Sequence, residues 1–245
     1  MLDKAVIVCV DYSDFLAVTL PYNRHHFGDV HIVTSMSDEQ TIDVAGDYNA
    51  HLWRTDLFYA DGADFNKWRA LEWALDSIGR DGWLCLMDAD VLWPKSIQYD
   101  FEPGKLYSPM RRMFKDLAKP IPQESEWTRY PIHRDVNEWA GYSQIFHGSD
   151  HHLPAPPWHE TNWKHAGGAD SFFQFQWEPA SKVRPPFEVL HLGEDGANWC
   201  GRVTPRLDGT MPDDSTERQR KLKGYFTGRR QHPDQTKRFD HEKLS

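Results

Sequence analysis

Apolar runs alternate with helical patterns through roughly the first ninety residues, and this limits the possible folds more than any other feature of the chain. Residues 4–10, KAVIVCV, are rich in β-branched side chains and show no polar alternation, the mark of a strand buried on both faces. Residues 11–27 read as a helix interrupted near Pro21. Residues 30–35 (VHIVTS) form a second strand and residues 50–56 (AHLWRTD) a weaker third. In residues 64–79 (DFNKWRALEWALDSIG), Trp68, Leu71, Leu75 and Ile78 recur at helical spacing, with Asp64 placed to cap the start and Gly79 to end it. Residues 83–87 are a fourth strand. Strands that alternate with helices in this way build a parallel α/β sheet.

Beyond Pro94 the pattern loosens. Residues 105–110 and 141–148 read as strands, and the polar stretch 111–138 between them has no clear period. Residues 151–168 are a loop rich in Pro, His and Trp, residues 169–177 (ADSFFQFQW) a helix, and residues 187–193 (FEVLHLG) a short strand. The Gly-rich stretch 191–202 (HLGEDGANWCGR) suits a loop that closes over a ligand. The chain ends in a polar, helical tail. The length of 245 residues fits one large domain, and 11 tryptophans point to a folded enzyme or binding protein rather than a disordered chain.

No apolar run reaches membrane-spanning length, and the N-terminus lacks the parts of a signal peptide. Cys9, Cys85 and Cys200 have no CxxC partner, so buried thiols in a reducing, cytoplasmic setting are expected. The net charge is −9, but residues 217–245 hold nine Lys or Arg against four Asp or Glu, a balance of +5. An acidic body with a basic tail allows a polyanionic partner, or simply a solvated terminus.

The fourth strand runs into Asp88-Ala89-Asp90. Ligands of open α/β sheets bind beyond the carboxyl ends of the strands. Two carboxylates at that edge repel unless a cation or a proton separates them, and a hard divalent ion that also binds a diphosphate would do so. A pair of solvated loop acids would carry the same letters.

FNKWRALEWAL followed by WLCLMDADVLWP resembles the nucleotide-sugar glycosyltransferases of GT-A fold, and most of all the β-1,4-galactosyltransferase family. HAGGADSFF (165–173) and VLHLG (189–193) follow in the family's order. The resemblance covers residues 4–12, 64–94 and 165–193. It implies a Rossmann-like, mostly parallel sheet flanked by helices, with an irregular acceptor-binding second half. The corresponding division is 1–94 for the nucleotide sugar, 95–215 for the acceptor, and 216–245 as the basic tail. It further implies Mn²⁺ or Mg²⁺ at a metal site of Asp90, Asp88 and His191, with Asp90 and His191 as direct ligands and Asp88 also toward the donor. Phe65, Lys67, Asp88 and Ala89 would lie along the donor; Asp11 and Tyr12, at the end of the first strand, and Arg69, one turn into the helix, are placed to join them, or are an ordinary polar strand end and an exposed side chain. Trp163, His165, Gly167 and Gly168 would face the acceptor, and Asp170 would be the general base of an inverting transfer. A cation next to a leaving diphosphate and a carboxylate next to a hydroxyl are what such a transfer needs. The chain departs from the family at Lys67, where Arg is expected, and at Ala169, where Glu is expected; the second leaves the acceptor open.

Several alternatives share these letters. Asp170 also suits a helix N-cap, and a lone His such as His191 also suits a packed core. Trp158, Trp163 and Trp177 suit a stacking platform or core packing. His147, His151, His152, His159 and His165 lack the spacing of a compact zinc site. The acceptor would be a glycan, or the hydroxymethyl group of a modified pyrimidine in DNA, as certain viral enzymes glycosylate. The protein would then act in the cytoplasm, a host's cytoplasm in the viral case. A metal-dependent nucleotidyltransferase or phosphohydrolase, and a non-catalytic sugar-nucleotide-binding module, are the competing classes.

Overall fold

The computed structural model describes residues 1–133, 139–194 and 196–227. In chain order the elements are β1 (Leu2–Val8), α1 (Ser13–Asn23), β2 (Phe27–Thr34), α2 (Glu39–Asp47), β3 (His51–Arg54), α3 (Lys67–Ile78), β4 (Trp83–Asp88), β5 (Val91–Leu92), β6 (Leu106–Tyr107) and β7 (Met110–Phe114). Then follow β8 (Ser143–His147), α4 (Ala169–Phe173), β9 (Lys182–Val183), β10 (Glu188–Leu192) and α5 (Ser215–Phe226). The main sheet runs β3-β2-β1-β4-β8-β6-β9, with β3, β2, β1 and β4 parallel and β8 antiparallel to β4. A small sheet, β5-β10-β7, stands apart from it. This is the mixed α/β architecture, mostly parallel and flanked by helices, that the alternation predicts.

The unbroken apolar run of β1 has a direct physical cause. Ala5, Ile7 and Cys9 face one layer with Leu16 and Leu20 of α1 and Ala45 of α2. Val6 and Val10 face the other, with Trp68, Leu71 and Leu75 of α3. Both faces are covered, so alternation has no polar side to show. The chain winds from β1 to β2 and β3 on one side, then crosses over through α3 to β4 on the other. The order therefore reverses between β1 and β4, and the crevice beyond their carboxyl ends is where such sheets take a ligand.

Several local expectations are corrected. The helix at 64–79 begins at Lys67, and its cap is Asn66, whose side chain accepts the Arg69 N–H; Asp64 lies outside it. Asp170 is not a cap either: Gly168 holds that position at φ +102°, and Asp170 sits in the first turn of α4. The expected strand at 105–110 splits into β6 and β7, and β7 runs on through Arg111–Phe114, which the polar reading had left without structure. The helix α2 escaped notice because only Thr41 and Ala45 are buried, a stripe too narrow to stand out. The segment at 11–27 is shorter than expected: α1 contains Pro21 and ends at Asn23, with a 3₁₀ turn after it.

All three cysteines are buried and free of disulfides. Among the described residues no helix is long and apolar enough to cross a membrane.

Candidate active site

A cavity of about 450 Å³ opens at the switch point between β1 and β4. Its floor is the end of β4 and the turn after it, Asp88 to Asp90, with Val8, Val10 and Tyr12 from the end of β1 beside them. Phe65, Lys67 and Trp68 at the start of α3 form one wall. Gly167, Gly168, Asp170 and Phe172 around the start of α4 continue the lining, tied to the α3 wall by the Trp68 indole, which donates to the Ala166 carbonyl at 2.7 Å, and Ala140 and Tyr142 lead into β8.

Backbone pairing brings His191 to the floor. β10 runs antiparallel to β5 with His191 opposite Val91, and Leu192 N–H donates to the Asp90 carbonyl at 2.8 Å. The result sets His191 Nε2 3.7 Å from Asp90 Oδ1. Among the described residues that carboxylate oxygen is buried and accepts no hydrogen bond. Burial, and next the charge of Asp88, push the Asp90 carboxyl up to about 8. An acid buried this way, with an imidazole nitrogen near it, is eased by taking up a proton or a cation. An oxygen and an imidazole nitrogen suit Mn²⁺ and Mg²⁺, so the residues fit the expected ion.

Asp88 has a different partner. Its Oδ1 accepts from Lys67 Nζ at 2.7 Å, and the same ammonium lies 4.5 Å over the Trp68 ring. Burial works to lower the Lys67 ammonium, but Asp88, followed by Asp170 and Asp90, outweighs it and the group stays charged. The Lys67 head group is therefore held over the cavity floor as a fixed cation. The two aspartates of the motif are inequivalent because Asp88 ends the strand while Asp90 lies in the tight turn behind it.

Asp170 lines the same cavity. Its Oδ2 accepts the Gly141 N–H at 2.7 Å. Gly141 has no room for a side chain: a Cβ there would lie 2.9 Å from both Asp170 Cβ and the Trp68 ring. At Gly167 a Cβ would meet the Trp199 indole at 2.3 Å, so the ring packs directly on the backbone. Burial, then Asp90, holds the Tyr12 phenol well above its usual value, so it faces the cavity as a neutral hydroxyl.

Of the residues singled out from the sequence, Tyr12, Phe65, Lys67, Asp88, Ala89, Asp90, Trp163, Gly167, Gly168, Asp170 and His191 line this one cavity. Asp11, Arg69 and His165 do not. Asp11 Oδ2 is paired with Arg218 at 2.8 Å, and Arg69 with Asp61 at 2.7 Å. His165 lies behind the wall, stacked on Trp199 with ring centroids 5.6 Å apart. Trp158 and Trp177 pack in the core around Phe146 rather than in a platform.

The histidines of the second half go to separate partners: His147 to Ser149, His159 to the buried Glu72, and His151 and His152 to Asp150. Asp150, His151 and His152 are near enough together to hold an ion, yet Asp150 already accepts from the His152 backbone and the Trp177 indole, the bonding of a tight turn.

Sequence reasoning missed Arg111, Tyr142, Asn198, Trp199 and Arg202 as lining residues. Arg111 is buried with its guanidinium 4.4 Å over the Tyr142 ring; its strand lay hidden in the unpatterned polar stretch. The density of Gly and aromatics at 191–202 was the signal for Asn198, Trp199 and Arg202, and Tyr142 leads into the strand expected at 141–148. Arg202 is fully buried, and its five N–H groups all go to protein acceptors: Thr204 O, Asp11 O, Pro205 O and both oxygens of Asp14. It lines the cavity as a staple with no donor left for a ligand.

No family model and no curated protein matches the chain. Among solved structures, glucosyl-3-phosphoglycerate synthase from Mycobacterium tuberculosis, in complex with Mn²⁺, uridine diphosphate and phosphoglyceric acid, is similar with 12% identity and a TM-score of 0.43. That likeness covers 96% of this chain and 80% of the other. Mannosyl-3-phosphoglycerate synthase from Rubrobacter xylanophilus is similar at 18% identity and a TM-score of 0.34, over 46% of this chain and only 41% of the other. The inositol-1-phosphate CTP transferase of T. maritima follows at 9% identity and 0.39, over 91% and 96%. At these values the likenesses carry no argument about activity, and the functional assignment rests on the chain's own residues.

Proposed function

We propose that the protein is a metal-dependent glycosyltransferase that moves a sugar from a nucleotide-diphosphate sugar, a UDP-sugar by preference, to an acceptor hydroxyl. The observation that carries this reading is the buried Asp90 Oδ1, which accepts no hydrogen bond among the described residues and faces His191 Nε2 at the β1/β4 switch point, with the Lys67–Asp88 pair beside it. The GT-A assignment, and the likeness to the β-1,4-galactosyltransferase family in motif order, belong to this reading.

In this reading Asp90 and His191 hold Mn²⁺ or Mg²⁺. When bound, the ion supplies Lewis-acid stabilisation of the leaving diphosphate. Lys67 adds a second fixed positive charge on the donor side, as a point charge where an arginine would make a bidentate contact. Asp88, held by Lys67, is placed to accept from donor hydroxyls. Phe65 and Tyr12 give the donor apolar and hydroxyl-bearing walls. Asp170, anchored through Oδ2, keeps its other oxygen for the proton of the attacking hydroxyl, the arrangement of an inverting transfer. Trp163, Phe172 and Trp199 give the acceptor side flat aromatic faces, which stack on sugars and bases alike.

The acceptor is a glycan hydroxyl in preference to modified DNA. Two of the cations that suggested a polyanionic partner, Arg218 and Lys221, are taken up by Asp11 and Asp64 of the body. The domain division at 94 and 215 stays part of this proposal.

The test is a panel of UDP- and GDP-sugars with and without Mn²⁺, read as released nucleoside diphosphate. Metal-dependent release is expected, and Asp170→Asn should lower acceptor-dependent transfer by about a hundredfold or more while nucleotide affinity stays within about threefold. Release of pyrophosphate or phosphate would instead support the nucleotidyltransferase or phosphohydrolase class. Binding of UDP without turnover of any donor would support a non-catalytic module.

A further inference from the structure

The helix α5 supplies no residue to the cavity lining, yet it touches the segments that carry much of the lining. Arg218 pairs with Asp11, just before Tyr12, at 2.8 Å, and donates to the Arg202 carbonyl at 3.3 Å. Its guanidinium lies against Gly201, where a Cβ would sit 2.9 Å from Cζ. Lys221 Nζ reaches Asp64 Oδ1 at 3.3 Å, and Tyr225 Oη donates to Asp64 Oδ2 at 3.0 Å, just before Phe65 and Lys67. The Tyr225 ring stands edge-on to His165 with centroids 4.3 Å apart. His165 in turn stacks on Trp199 at 7° and accepts the Gly167 N–H through Nδ1 at 3.1 Å. Ala166 N–H also donates to the Trp199 carbonyl at 2.8 Å, which closes the bracket between the two loops.

A chain of contacts thus runs from α5 through Tyr225 and His165 to the Gly167 backbone and the Trp199 ring, both of which line the cavity. Each link is ring packing or a hydrogen bond among buried or half-buried groups, so a change at Tyr225 reaches the wall without touching a ligand.

We infer that α5 is a clamp on the mouth of the cavity, and that Tyr225 and His165 are positioning residues that hold Gly167 and Trp199 in place. Arg218, Lys221 and Tyr225 of α5 are spent on this internal task. Only the kinetic arm of the test rests on the glycosyltransferase reading.

Hydrogen exchange of the full chain decides the matter independently of any activity. Tyr225→Ala should speed amide exchange about tenfold or more in 165–168 and 198–202, while β1 and β4 exchange as in the wild type, and Tyr225→Phe, which keeps the ring, should have a smaller effect. Unchanged exchange in those loops would overturn the clamp. So would uniform acceleration across the sheet in Tyr225→Ala together with wild-type behaviour in His165→Gln. Mn²⁺ binding followed by paramagnetic resonance should be unchanged within about twofold, because Asp90 and His191 lie outside the clamped segments. If the wild type turns over a UDP-sugar, Tyr225→Ala should raise KM for the acceptor more than it lowers kcat. If no donor is turned over, the exchange result still stands on its own.

Discussion

Asp90 illustrates how one side chain can cost stability and supply function. Burial, and next the charge of Asp88, push its native carboxyl up to about 8, while an unfolded Asp loses its proton near about 4. Across that window the native state binds more protons than the unfolded one, so the contribution of Asp90 to stability is lost as pH rises from about 4 to about 8. Asp90→Asn should therefore raise the melting temperature of the metal-free protein at pH 8 by at least about 5 °C and leave it nearly unchanged near pH 4. Thermal melts followed by circular dichroism at the two pH values check this. The same substitution should remove Mn²⁺-induced stabilisation, which in the wild type should be larger at pH 8 than at pH 6 because ion binding must displace the proton. An unchanged melt at pH 8 would mean that Asp90 is not held as a buried neutral acid.

The start of α4 shows how a short element inherits its position from its neighbours. Asp170 is oriented by the Gly141 N–H just before β8, and Gly141 can approach because it has no side chain. Gly141→Ala should push Asp170 or Trp68 away by several tenths of an ångström. Acceptor-dependent turnover should fall about tenfold to a hundredfold, with UDP affinity nearly unchanged. Steady-state kinetics beside UDP titration separates the two effects, and a parallel loss of UDP affinity would point to damage at Trp68 instead. At this scale the sequence was partly legible. The helix α3 and strand β4 announce themselves through periodicity and unbroken apolarity, because both pack broad faces. The helix α2 does not, because it buries only Thr41 and Ala45, and the strand β7 does not, because Arg111 and Arg112 interrupt its apolar run although Arg111, Met113 and Phe114 are buried.

Over the whole molecule, Arg202 ties the end of the chain to its beginning. Its bonds to Asp11 and Asp14 and its stacking over Tyr12 and Phe15 join the 198–207 segment to the end of β1. Arg202→Met should cost about 3–5 kcal/mol, a fall of roughly 10 °C in melting temperature, because it leaves the partly buried Asp14 without its cation. A loss below about 1 kcal/mol would show that the staple is dispensable. The sequence by itself determined the parallel α/β core and the edge at which a ligand would bind, since these follow from local periodicity and from the rule that such sheets bind beyond their carboxyl ends. It also marked Asp88, Asp90, Asp170 and His191 as a candidate set. Only the tertiary structure decided that Asp88 turns to Lys67 while Asp90 turns to His191, that Arg111 and Trp199 complete the walls, and that His165 and the C-terminal cations work from behind them. Those outcomes depend on strand register and on contacts between distant segments. Register and distant contacts come from packing the whole chain, and no local pattern records them.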